Sequence, residues 1–228
     1  MRYLHPVSYQ EKFVASGTYV TTVVGETSPV EMTEEWSIHT QPGDSRFIRI
    51  DRAATPTSEH LLAEILQSPD GIIERVDLVW FRQTVSRRVS LTAFDTYVQV
   101  GHKTEPDERE YLELDIAAGT RLLPPFILFM LGSVNTPEMN ADGQWLTVDA
   151  ATPVNPPPLR VESMRSTLGK MQTLPIGRRQ IDTQMIDVQL GDVTLKVWRD
   201  QRLHIPVRVE ERNGNQLIRT SELRSVAF

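Results

Sequence analysis

This chain has no cysteine among its 228 residues. Disulfide bonds, thiolate catalysis and cysteine-ligated zinc or iron–sulfur centres are therefore excluded. Long apolar runs are missing as well, because the longest, LLPPFILFMLG at residues 122–132, is too short to cross a bilayer. The start, MRYLHPVSYQEKF, lacks the basic and apolar regions of a signal peptide. We expect a cytoplasmic protein without stable membrane insertion.

Catalytic signatures are absent too. The sequence has no G-x-S-x-G elbow, Walker loop or G-x-G-x-x-G motif. Its five histidines never stand two or four residues apart, so no local metal motif exists, although a site assembled from distant histidines stays open. We interpret them as exposed strand and loop residues, and we expect no cofactor and no enzymatic activity. The histidines are His5, His39, His60, His102 and His204.

The charge balance argues against nucleic-acid binding. The formal net charge is -6, and a mild acidic excess repels phosphate backbones. The arginine pairs Arg87-Arg88 and Arg178-Arg179 are interpreted as solvated side chains, not as an anion site. Apolar residues at 39% and charged residues at 24% are typical of a soluble globular protein.

Alternation of apolar and polar residues is the main signal that is present. Around the turn formed by Pro69, Asp70 and Gly71, it predicts a hairpin of residues 59–67 and 72–83. A short helix over the left arm stays open as an alternative. Further strands are predicted in residues 16–26, in a hairpin over residues 34–51, in one long strand at 87–101, and around Leu112, Leu114 and Ile116.

The C-terminal third predicts an antiparallel meander. Its turn signals are Gly191-Asp192, Asp200-Gln201 and Asn213-Gly214-Asn215, with alternating apolar residues between them. Pro206 lacks an amide donor, so its strand should lie at a sheet edge or contain a bulge.

Two segments break the strand pattern. Residues 122–133 carry the proline pair Pro124-Pro125 near their start and end near Gly132, which predicts a short apolar helix. Residues 151–160, ATPVNPPPLR, are interpreted as a proline-rich crossover within a single domain of residues 1–228. The expected fold is mainly β: a strongly curved antiparallel sheet, either a half-barrel or a β-roll. It should contain about ten to twelve strands and one or two short helices.

Polar clusters offer weaker functional hypotheses. Glu113 and Asp115 share one face of a predicted strand, and such a carboxylate pair can serve a glycoside hydrolase. A hydrolase using this pair and a distant histidine is therefore kept as an alternative, although a solvated strand face explains the pair more simply. Residues 140–149 contain only fragments of a calcium loop and are interpreted as a turn before a strand.

Large aromatic residues offer another hypothesis. They either fill the core or line a cavity between the curved sheet and the apolar helix, since concave apolar pockets commonly hold small ligands. The proposed lining residues are Trp36, Trp80, Phe94, Phe126, Phe129 and Trp198.

Three segments resemble known families. MQTLPIGRRQID (residues 171–182) resembles the signature of a bacterial family labelled glycolipid-binding. VTLKVWRDQRLHIPVRVEER (193–212) resembles the closing strands of lipoprotein-carrier-like half-barrels, and SPDGIIERVDLVW (68–80) resembles a hairpin of such proteins. The resemblance implies a curved sheet around an apolar cavity, and lipid or glycolipid binding by analogy.

We therefore expect a non-enzymatic binder of an apolar or amphipathic small molecule. The alternatives are a structural or partner-binding domain with a solid core, and the hydrolase described above.

Overall fold

The computed structural model describes residues 1–24, 31–55, 59–82, 85–104, 110–124, 127–133, 143–148 and 159–228. Within these ranges, strands make up one continuous sheet of 15 strands. The first eight are β1 (Lys12–Val23), β2 (Glu31–Thr40), β3 (Arg46–Thr55), β4 (Glu59–Gln67), β5 (Ile73–Arg82), β6 (Val85–Ala93), β7 (Tyr97–Thr104) and β8 (Glu110–Asp115). The others are β9 (Arg121–Leu122), β10 (Gly143–Val148), β11 (Leu159–Ile176), β12 (Arg179–Leu190), β13 (Val193–Asp200), β14 (Pro206–Asn213) and β15 (Gln216–Ala227).

The sheet grows outwards from β1, which pairs antiparallel with β2 on one side and with β15 on the other. Strands β2 to β8 follow in chain order towards one edge, and β15 back to β9 follow towards the other edge. Neighbouring strands are antiparallel throughout, apart from the short parallel contact of β9 with β10. The predicted mainly-β, antiparallel fold class is therefore confirmed, although the strand number exceeds the ten to twelve that we expected.

The hairpin predicted around Gly71 is formed by β4 and β5. Ser68 closes its turn: its backbone N–H donates to the Ile72 carbonyl at 2.8 Å, and its carbonyl accepts from the Gly71 N–H at 2.9 Å. The helix alternative for the left arm is wrong, because β4 is paired on both sides, with β3 and with β5.

The single long strand predicted at residues 87–101 is wrong. The chain reverses there, so that β6 and β7 form a hairpin in which the Phe94 N–H donates to the Tyr97 carbonyl at 2.9 Å. The turn contains neither glycine nor proline, so turn chemistry gave little sign of it. The buried positions change phase across it, from Val89 and Leu91 to Val98 and Val100, and this shift is the sequence signal that the prediction missed.

The C-terminal meander is confirmed as β12 to β15. Pro206 does not lie at an edge, since β14 is flanked by β13 and β15. It lies instead at an irregularity, where the register of β13 shifts between Trp198 and Arg199. The missing amide donor is accommodated by a bulge, which was the other half of the prediction.

The apolar segment at residues 122–133 is less helical than predicted. It starts within β9, and its described helical part is a 3-10 helix at Leu128–Ser133. No helix in the described ranges is both long and apolar enough to cross a membrane. Of the predicted crossover, residues 151–158 lie outside the described residues, and Leu159 already belongs to β11.

One hydrophobic core occupies the face of the sheet that we call the inner face. Side chains from both halves of the sheet meet there, including Trp36, Leu78, Val197 and Val209. Residues 121–124 and 127–133, which we call the apolar plug, pack into the same core. Because residues of the plug touch strands from both sides of β1, the sheet must wrap around them.

The plug approaches the β13–β14 connection closely at Gly132. A Cβ atom at this position would lie 2.0 Å from the His204 carbonyl oxygen and 2.7 Å from the Pro206 ring. Only glycine allows this backbone contact, which positions the plug against the second half of the sheet.

Candidate functional site

A buried carboxylate holds the apolar plug on the inner face. The carboxylate of Glu34 in β2 accepts hydrogen bonds from the backbone N–H groups of Leu128 (3.3 Å) and Phe129 (3.1 Å). Glu34 is only 1% exposed. Burial raises its pKa above the usual range, although the positive charges of Arg52 and Arg219 oppose the increase. The 3-10 helix is thus tied to the sheet by a side chain and not by strand pairing.

Polar groups surround Glu34 within an otherwise apolar surface. Strand register places Glu34 directly opposite Tyr19 on one side and Arg52 on the other. The Tyr19 hydroxyl and the Trp36 indole nitrogen are buried without a hydrogen-bond partner in the part of the chain that the structure describes. Burial raises the pKa of Tyr19 and lowers that of Arg52. This part of the inner face can therefore interact with the polar end of an amphipathic molecule.

The aromatic residues predicted to line a cavity are divided by the fold. Trp36 and Phe129 touch, with ring centroids 5.0 Å apart, and Trp80 belongs to the same core. Phe94 is 43% exposed and stacks on Tyr97.

The last two predicted aromatic residues lie elsewhere. Trp198 follows core residue Val197 in β13, so it faces the opposite side, which we call the outer face. There it donates a 2.6 Å hydrogen bond to Gln172 and lies beside Arg208. Phe126 lies outside the described residues.

The outer face of β2 to β4 is crossed by residues 1–11, which we call the N-terminal arm. Arg2 anchors the arm to Asp51, through its backbone N–H at 2.7 Å and its guanidinium at 2.7 Å. His5 contacts Glu64 through its backbone N–H at 3.0 Å and its ring Nδ1 at 2.6 Å. These contacts hold the arm against β3 and β4, and the Met1 amino group adds an ion pair at 2.8 Å to Glu35 of β2.

Arg49 lies at the centre of these contacts and is 1% exposed. Its guanidinium donates to both carboxylate oxygens of Glu11, at 2.6 and 2.9 Å, and its Nε lies 3.4 Å from Glu64. The ring of Phe47 lies under it, with the centroid 4.5 Å away. The hydrogen bonds from Arg49 lower the pKa of Glu11.

His39 lies next to this cluster and is 6% exposed. Burial and the charge of Arg49 lower its pKa, so the ring is neutral near pH 7. His39 and Ser37 line a cleft of about 340 Å³ beside the arm. The expectation that the histidines are exposed is wrong for His39 and also for His102, which is 3% exposed. Both lie on strands that have a paired neighbour on each side, and not at an edge of the sheet.

A larger cleft, of about 510 Å³, lies on the other side of the arm. Its floor is the outer face of β5 to β7, and it extends from the arm to edge strand β8. Most of its lining residues are polar, among them Arg75, Asp77, Ser90, Thr92, Gln99 and Tyr111. We call it the outer cleft.

The other residues singled out from the sequence are not gathered into a site. Glu113 and Asp115 lie exposed on edge strand β8, opposite Gln99 and Tyr97, so strand pairing brings no histidine to them. Arg178 and Arg179 are exposed at the β11–β12 turn, and in β6 Arg88 is exposed whereas Arg87 is partly buried. No group of three or more potential metal ligands occurs among the described residues.

Sequence reasoning missed the buried charges Glu34, Arg49 and Glu64. Arg49 and Glu64 alternate with apolar neighbours, which made their positions look solvated, and the only signal for them was that opposite charges become neighbours once the register is known. Glu34 shares the face of Trp36 and Ile38, so its place in the alternation was a signal of burial that its charge obscured. Without that register, neither the outer network nor the contact of Glu34 with the plug could be found.

Comparisons with known proteins support the fold alone. No protein-family model matches this chain, and no curated protein sequence matches it. A crystal structure from Brucella abortus, described as a beta-barrel-like protein of domain of unknown function DUF1849, is similar, with a TM-score of 0.60 and 13% sequence identity. The similarity covers 94% of this chain and 97% of that one. A barrel-like architecture is thus shared over nearly the whole chain.

Proposed function

We propose that this protein is a non-enzymatic binder of an apolar or amphipathic small molecule, such as a lipid or glycolipid, on the inner face of its curved sheet. The observation that carries this proposal is the apolar plug. The inner surface is covered by a short segment that Glu34 holds in place, whereas the strands around it pair with one another. The plug pairs with another strand through β9, which contacts β10, so residues 127–133 can be displaced without breaking the sheet.

On energetic grounds, a ligand is expected to exchange with the apolar plug and not to fill an empty cavity. The side chains of the plug are apolar, among them Leu123, Ile127, Phe129 and Met130. An acyl chain offers the same kind of surface and gains about 0.8 kcal/mol for each buried CH₂ group. A ligand would thus replace one apolar surface by another, and its affinity would reflect the difference between the two.

The polar groups near Glu34 favour an amphipathic ligand over a purely apolar one. When the plug leaves, Glu34 loses the N–H groups of Leu128 and Phe129 and needs new donors, because an unsatisfied buried carboxylate is costly. A ligand with a hydroxyl, amide or amino group beside its chain would supply them. Tyr19 and Trp36 offer further donors at the same place.

The sequence resemblance to lipoprotein-carrier-like and glycolipid-binding families points in the same direction. The barrel-like architecture shared with the Brucella abortus protein is compatible with it but identifies no ligand.

Native mass spectrometry of the purified protein provides the first test, with co-purifying lipid as the expected result. The second test is titration with the fluorescent fatty acid cis-parinaric acid. We expect Glu34→Ala to bind this probe several-fold more tightly, because it releases the plug. Glu35→Ala is the matched control, since Glu35 is the next residue of β2 but is partly exposed on the outer face.

The results distinguish the proposed function from its main alternative. If the purified protein retains no lipid, and neither it nor Glu34→Ala binds cis-parinaric acid, the interior is a solid core. The partner-binding alternative is then the better explanation. Equal probe affinity in Glu34→Ala and Glu35→Ala would show that the plug does not control access.

A further inference from the structure

The outer cleft lies on the opposite face of the sheet from the apolar plug. The arm residues His5 and Pro6 form one wall, and Tyr111 of β8 forms another. Its volume of about 510 Å³ is within the range of small-molecule sites. It opens to solvent without any displacement of the plug or the arm.

Strand register builds the floor from two adjacent rows of side chains. Asp77 of β5 is opposite Ser90 of β6, and Ser90 is opposite Gly101 of β7. The next row contains Arg75, Thr92 and Gln99, again in direct cross-strand pairs. Because Gly101 has no side chain, the floor stays open at its centre. Regular strands therefore hold these polar groups at fixed separations.

Charges around the cleft are balanced in pairs. Arg75 lies 3.0 Å from the Asp77 carboxylate, and Arg49 is neutralised by its bidentate contact with Glu11. Neither Arg75 nor Arg49 therefore carries an unbalanced charge that would attract an anion. The negative charge of Asp77 is likewise balanced, by Arg75. The cleft thus favours a neutral ligand that both donates and accepts hydrogen bonds.

We propose that the outer cleft binds a neutral saccharide. Vicinal hydroxyl groups of a sugar match planar groups that accept or donate two hydrogen bonds, here Asp77, Arg75 and Gln99. Tyr111 is 59% exposed at the rim and presents an aromatic ring against which the C–H face of a sugar can pack. Ser90 and Thr92 add hydroxyl groups that can donate or accept.

The test uses saturation-transfer NMR on the full chain with four probes: the methyl glycosides of glucose, galactose and mannose, and N-acetylglucosamine. We expect at least one sugar to bind with a dissociation constant of about 1 mM or tighter. Asp77→Asn and Tyr111→Ala should each weaken that sugar about ten-fold. Inorganic phosphate should not compete, because both arginines among the described lining residues, Arg49 and Arg75, are paired with carboxylates.

Two control variants match these substitutions. Asp187 is an exposed strand aspartate beside Lys196 in the other half of the sheet, and Tyr9 is a 94% exposed tyrosine that is not part of the cleft lining. Asp187→Asn and Tyr9→Ala should bind the sugar as the unmodified protein does. Binding of cis-parinaric acid should be unchanged in Asp77→Asn, which separates this site from the inner face.

Three results would overturn the assignment: no response from any of the four sugars, sugar binding that is equal in all four variants, or displacement of the bound sugar by phosphate. Each can occur whether or not the inner face binds a lipid.

Discussion

Replacing Arg49 by methionine should destabilise the protein more than replacing any exposed arginine. The side chain of Arg49 is 1% exposed, and its guanidinium balances the negative charges of two buried carboxylates. The side chain of Glu11 is 4% exposed, and that of Glu64 is 1% exposed. Methionine keeps most of the apolar contact with Phe47 but removes the charge. Both carboxylates would then remain buried, with only His5 left beside Glu64.

The expected loss of folding stability follows from the burial of Arg49 and its partner carboxylates. Removing one partner of a buried ion pair costs about 3–5 kcal/mol, because an uncompensated charge remains in a poorly solvated place. For a chain of this length, each kcal/mol lowers the melting temperature by about 2–4 °C, so we expect a decrease of about 6–20 °C. The surface pair of Arg75 and Asp77 provides the comparison, since such pairs contribute only about 0–1 kcal/mol.

Urea unfolding at pH 7, followed by far-UV circular dichroism, measures the effect. Arg75→Met serves as the control, because Arg75 is 42% exposed on its side chain and contacts a single carboxylate. Adding Glu11→Gln to Arg49→Met should recover part of the loss, because one of the stranded charges is removed. If Arg49→Met costs no more than Arg75→Met, the outer-face network does not contribute to stability as we infer.

Two further substitutions test other parts of the fold. Because burial lowers the pKa of His39 below 6.5, the unfolded chain binds this proton first, and stability should fall as the pH drops below 6.5. His39→Gln should reduce that dependence in urea midpoints measured across the same range, and an unchanged slope would assign it to other groups. Gly17→Ala would place a Cβ 2.5 Å from the Trp36 ring and 2.6 Å from the Ser225 carbonyl oxygen, and such overpacking costs about 1–3 kcal/mol. Gly169→Ala, whose Cβ first meets the flexible end of Met185, should cost less in the same urea assay, and equal costs would contradict the reasoning.

Both arms of the β4–β5 hairpin were visible because Pro69, Asp70 and Gly71 separate them. The β6–β7 turn was missed because it contains neither glycine nor proline. The alternation does change phase there, from Val89 and Leu91 to Val98 and Val100, and this shift was not recognised as the end of a strand. A hairpin without glycine or proline in its turn must thus be found from the phase of its alternation.

The candidate sites were harder to predict than the strands. Trp36 and Phe129 were expected near one another and do touch, because large apolar groups of a strand and an apolar segment share a core. Trp198 was assigned to the same place but lies on the outer face, because it directly follows core residue Val197 and successive strand residues point to opposite faces.

The sequence by itself determined that strands would form, that they would pair through short turns, and that an apolar segment would pack against the sheet. These properties depend on neighbouring residues, because alternation and turn chemistry act over a few positions. The tertiary structure decided which charged residues became buried. Arg49 and Glu64 look solvated in their own strands and are enclosed only because the N-terminal arm covers them. Glu34 shares the apolar face of Trp36 and is enclosed because the apolar plug covers it. Contacts between segments so distant in the chain depend on sheet curvature and register, which no local pattern encodes.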